Sequence, residues 1–160
     1  MLCSIELWLR FASYSIGELR RGRWPLTIRD GDILARQLFS GHVRRNGRIE
    51  VSAFIATRSN GFGISLDRWS KAPERLFKLL GEKAAVTRHP HNFKGFAVFD
   101  ATRLKSICIE DLQQIRALCA PTKRNPFHAD ILLPSDRDPS FYLLVATELR
   151  DKLSPQPILY

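Results

Sequence analysis

The chain lacks almost everything that fixes an activity by motif. It has no GxGxxG, P-loop, GxSxG or HExxH pattern, and Gly61-Phe62-Gly63 is too short to cradle a phosphate. No helix-turn-helix spacing, RNP motif or zinc finger occurs, nor any internal repeat or low-complexity run. Cysteine is scarce: Cys3, Cys108 and Cys119 are odd in number, far apart and without CxxC spacing, which suggests neither a disulfide framework nor a zinc knuckle and fits a reducing cytoplasm. No window approaches the roughly 18 to 20 apolar residues of a membrane span, so no membrane partner is expected. The apolar start, Met1 to Phe11, is broken by Glu6 and Arg10 and has no basic n-region, unlike a signal peptide. Acidic residues are also in deficit. Against 16 Asp and Glu stand 25 Lys and Arg, a net charge of +9, with residues 1–50 and 51–100 carrying +4 each and 101–160 only +1. Such a balance concerns partners more than fold, and it favours an anionic one.

A chain of 160 residues, 44% apolar, can bury one ordinary core, so one domain over 1–160 is expected. Within it, 1–24 reads as a helix and basic connector, either an appendage or part of the body, and 30–153 as the core. Leu2, Ile5, Leu9, Ala12, Ile16 and Leu19 recur at steps of three or four, the mark of an amphipathic helix, which Gly22 and Pro25 stop. Asp30-Gly31-Asp32 predicts a cap for a short helix over 33–39, closed by Gly41. Asn46-Gly47 predicts a hairpin turn. Strands over 49–56 and 64–69 would then make a meander.

Ser70 and Pro73 open a helix over 71–80 that Gly81 ends, 95–100 reads as a buried strand, and 110–120 as a helix stopped by Pro121. A strand follows over 125–134. Asp138-Pro139 caps a last helix to about Leu153, and 155–160 offers an edge strand. The sum is an α+β fold, a mixed or antiparallel sheet with helices packed mainly on one face.

Two sets of residues could carry function. His128 and Asp130 lie two apart on a predicted strand, hence on one face, and suit a general acid or base whose tautomer the carboxylate holds. Arg68 or Arg58 would neutralise phosphate charge in a phosphodiester hydrolase. His89 and His91 could join the pair on a metal, but four ligands from two segments are a pattern chance supplies, and no metal site is assigned. The second set is basic. Arg20, Arg21 and Arg23 with Trp24 and Arg29, and Arg44, Arg45 and Arg48 around the predicted turn, suit phosphate contact and base stacking. Trp8 and Phe11 leave room for a third reading, in which the first helix docks a protein partner.

Ser52-Ala53-Phe54, Ile64-Ser65-Leu66-Asp67-Arg68 and Asn125-Pro126-Phe127-His128-Ala129-Asp130-Ile131, in that order, resemble a group of small uncharacterised bacterial proteins with the pattern SxxF, LSxDR and NPxHAxI. That resemblance spans roughly 30–150, implies no activity or cofactor, and singles out Ser65, Asp67 and Arg68 beside His128. A fainter one is to the ADP-ribosyltransferase superfamily, which would set His42, Ser65 and the strand ending in ADILLP against its NAD-gripping positions. Asp130 then stands where that family has Glu. The expectation is a cytoplasmic protein that binds nucleic acid through its basic first two thirds, of a defence or toxin-like kind. Its alternatives are an enzyme using His128, Asp130, Ser65 and Arg68, or an adaptor.

Overall fold

The computed structural model describes residues 2–56, 61–87, 92–109, 115–153 and 155–160. It contains helices α1 (Leu2–Arg20), α2 (Glu74–Thr87) and α3 (Pro139–Leu153). The strands are β1 (Ile33–Phe39), β2 (Gly63–Asp67), β3 (Phe93–Asp100), β4 (Ala117–Cys119), β5 (His128–Leu132) and β6 (Gln156–Leu159). They form one open sheet ordered β4-β5-β2-β1-β3-β6, with every neighbouring pair antiparallel. The fold is α+β, as expected, with the sheet of the antiparallel kind. Pro157 sits on the outermost strand, β6, where a missing N–H costs least.

Strand alternation sorts side chains between two faces. Leu34 and Leu38 of β1, Ile64 and Leu66 of β2, and Ala129 and Ile131 of β5 face a core closed by Val145 and Leu149 of α3. Ala35 and Phe96 join Leu76 and Phe77 of α2, Leu7 of α1 and Phe127 in a second, smaller core on the other side. Two helices therefore share one face and the third covers the other. Because Leu7 is fully buried and the Phe11 ring meets Phe127 edge-on at 5.5 Å, α1 is part of the body and not an appendage.

Several elements differ from expectation. Residues 33–39 form the strand β1, not a helix, because this strand has a neighbour on each side and a core on each face, so its apolar residues show no alternation. Asp32 caps no helix; it accepts the Arg29 N–H at 3.0 Å and pairs with Lys71 at 2.7 Å. The Asn46-Gly47 turn forms, with Gly47 at φ 80°, but a single bridge between Val43 and Ile49 closes it. Beyond that bridge, Val51–Phe54 is a 3-10 turn that buries Ala53 and Phe54, so no strand or meander runs through 49–56.

Helix α2 starts after Pro73 and continues through Gly81 to Thr87. Gly81 is no C-cap: a Cβ there would collide with the Phe93 ring, so glycine lets β3 approach the helix. The helix expected over 110–120 has its first half outside the described residues, and its end is the edge strand β4. The last helix and the edge strand lie where expected; Asp138 Oδ1 accepts the N–H groups of Ser140 at 2.8 Å and Phe141 at 3.1 Å.

Candidate functional site

The face opposite α3 is only partly covered. Ser65 and Asp67 of β2 project there, and the register sets Asp130 beside Ser65 and His128 beside Asp67. Strand parity thus joins the pair seen in the sequence to two residues of the neighbouring strand. His128 Nε2 lies 3.2 Å from Asp130 Oδ1, with both side chains about four-fifths buried (17% and 22% exposed). Nε2 is then the donor, and Nδ1 is left as the basic nitrogen. The hydrogen bond from His128, with help from the Ser65 hydroxyl, holds the Asp130 carboxyl below its usual range despite partial burial.

Asp67 is the opposite case. It is fully buried, and burial pushes its pKa up even though Gln37 Nε2 donates to Oδ2 at 2.9 Å and Asn125 Nδ2 to Oδ1 at 2.6 Å. Asn125 also accepts the Phe127 N–H at 3.0 Å, and its own N–H donates to Thr122 Oγ1 at 3.0 Å. One amide thereby locks the loop before β5 onto β2.

A groove of about 810 Å³ opens onto Asp67, Asn125 and His128, while Ser65 and Asp130 do not line it. Gln37, Asp67, Asn125 and His128 line its floor, and the second half of α2 and the Thr122–Asn125 loop line its sides, bringing Lys83, Lys123 and Arg124 to it. All three cations are exposed. A smaller cavity of about 120 Å³ continues from Gln37, Asp67 and His128 to Ser65, Arg36 and Phe39.

The other expected residues lie elsewhere. Arg68 is among the most buried side chains, and its guanidinium donates to the carbonyls of Pro25 at 2.8 Å and Thr27 at 3.1 Å and to the Tyr14 hydroxyl at 2.9 Å. It points to the connector after α1 and lines neither cavity. His42 Nδ1 accepts the Phe39 N–H at 3.3 Å in the turn after β1 and lines neither cavity either. Arg58, His89 and His91 lie outside the described residues; among the described ones, no three His, Cys, Asp or Glu side chains gather as a metal site would require.

The two arginine clusters lie on either side of β1 in the chain: Arg20 ends α1 and Arg21 and Arg23 follow it near Arg29, whereas Arg44, Arg45 and Arg48 flank the turn after β1. Within them, Arg21 pairs with Glu18 and Arg44 with Glu50.

Sequence reasoning missed Gln37, Lys83, Lys123 and Arg124. Gln37 and Lys83 were hidden by the helix readings over 33–39 and 71–80. Lys123-Arg124 stood in plain view beside Asn125, and its signal was adjacency to the His128 strand. Among the described residues no helix is long and apolar enough to cross a membrane. Comparison with known proteins finds no matching family model, no similar curated protein and no matching solved structure.

Proposed function

We propose that this chain binds a nucleic-acid strand along the groove between α2 and the Thr122–Asn125 loop, led by phosphate charge. The observation that carries this reading is the gathering of Lys83, Lys123 and Arg124 around one groove whose floor offers amide and imidazole groups beside the Asp67 carboxyl. Three cations on two elements suit successive phosphates, and the overall charge of +9 raises the encounter rate. The cysteine usage fits a cytoplasmic setting.

The test is a salt titration of binding to a labelled single-stranded oligonucleotide. Each lost phosphate contact lowers the slope of log K against log salt by roughly 0.7, so Lys83→Ala/Lys123→Ala/Arg124→Ala should lower it by about 2 and weaken binding at low salt. Wild-type affinity that ignores salt, or a triple variant with unchanged slope, would overturn the reading.

A second reading rests on the His128–Asp130 pair. With Nε2 held by Asp130, Nδ1 can take the proton of an attacking water or hydroxyl on a phosphodiester, and Lys123 or Arg124 takes the charge-neutralising part expected of Arg68. Purified protein that cleaves a nucleic-acid substrate and loses the activity in His128→Ala, but not in Arg44→Ala, would support it; an equally active His128→Ala would end it.

A further inference from the structure

Helix α1 has two apolar faces, and only one of them is used. Cys3, Leu7, Phe11 and Tyr14 belong to the smaller core. The row that the sequence marks as the packing face looks outward instead: Ile5 is 51% exposed, Leu9 68%, Ile16 53% and Leu19 54%, and Ala12 between them is exposed too. Positions 5, 9, 12, 16 and 19 advance by four, three, four and three, which is the seam of a coiled coil and not the broader stripe of a helix lying on a sheet.

We infer that this seam is the interface of a homodimer in which α1 packs antiparallel against α1 of a second copy. Two features choose this occupant. The row matches itself when reversed: Ile5 then faces Ile16 of the other copy, and Leu9 faces Ala12, a large residue against a small one. Parallel packing would stack Arg20, Arg21 and Arg23 on their own copies, whereas reversal separates them by the length of a 19-residue helix, about 28 Å. The seam lies on the side of α1 away from its own core, so dimerisation needs no rearrangement. The inference does not depend on what the groove binds.

Sedimentation velocity on the full chain tests it. Wild type should shift with concentration toward twice its 18.3 kDa mass. Leu9→Glu and Ile16→Glu, both at exposed positions, should sediment as monomers while keeping the wild-type far-UV spectrum and melting profile. Orientation is read by charge rescue. Ile5→Glu alone should be monomeric, and Ile5→Glu/Ile16→Lys should recover the dimer, because only the antiparallel register sets Glu against Lys. A wild type that stays monomeric through the high micromolar range would overturn the inference, even if it binds anionic vesicles through the same row, as would a dimer that survives Leu9→Glu. A double variant that remains monomeric overturns the antiparallel register.

Discussion

The two faces of the sheet are built from the same strands but do different work. On β2, Ile64 and Leu66 look into the core under α3, while Ser65 and Asp67 look the other way; on β5, Ala129 and Ile131 face α3, while His128 and Asp130 do not. The α3 side carries the larger apolar core. The opposite side mixes a small aromatic and aliphatic core with carboxyl, amide and imidazole groups, and the groove opens there. A period of two thus lets one ten-residue pair of strands hold the fold with one set of side chains and offer chemistry with the other. Under the proposed function the contrast separates stability from binding by residue number, and each of the following substitutions either sharpens it or breaks it.

The largest effect expected is at Arg68, which lines neither cavity. Arg68→Ala removes a buried cation and leaves the Pro25 and Thr27 carbonyls, the Tyr14 hydroxyl and nearby Asp32 without it, so denaturant unfolding should show a loss of about 3–5 kcal/mol. A loss below about 1 kcal/mol would mean that the connector does not need this tie. Next is Ile131→Ala on the α3 side, which should cost about 2–5 kcal/mol while leaving oligonucleotide affinity unchanged below the melting temperature. Reduced affinity in a folded Ile131→Ala would break the division between faces.

Asn125→Ala comes third, at roughly 1–3 kcal/mol, because it deprives buried Asp67 of one of two donors and unlocks the loop that carries Lys123 and Arg124. This substitution should weaken binding as well as stability. The smallest effects are in pH dependence, and the two carboxyls of the site act in opposite senses. Asp67 has a raised pKa, so relative to Asp67→Asn the wild type loses stability as pH rises from about 4 through the folded-state value. Asp130 is held low by His128, so its contribution is present above about pH 4 and is lost as pH falls through the folded-state value. Stability curves of Asp67→Asn and Asp130→Asn against pH should therefore diverge from wild type at opposite ends; a common direction would contradict the assigned environments.

Local signals in the sequence were reliable where one residue type has one physical use. Asp138-Pro139 marked the start of α3, Asn46-Gly47 marked a turn, and the parity of His128 and Asp130 placed them together. Tertiary burial defeated the rest. Ile33 to Phe39 lies between two strands and two cores, so nothing in its own pattern distinguishes strand from helix. For α1 the helix was legible but its buried side was not, since Leu7, Phe11 and Tyr14 are no more regular than the exposed Ile5–Leu9–Ile16 row. Arg68 was legible as a residue of interest through its motif, yet only the path of the connector shows that its guanidinium is spent on Pro25, Thr27 and Tyr14. The groove cations come from α2 and a loop that no short-range rule brings together.

The central claim is that the partly open face, and not the arginine clusters at the two ends of β1, meets the nucleic acid. Backbone amide shifts followed by NMR during titration with a short single-stranded oligonucleotide test this most directly. The account predicts that the largest changes fall at Lys83, Thr122 to Asn125 and His128, with Arg44 to Arg48 unmoved; changes confined to Arg20 to Arg23 or Arg44 to Arg48, or none at saturating oligonucleotide, would contradict it.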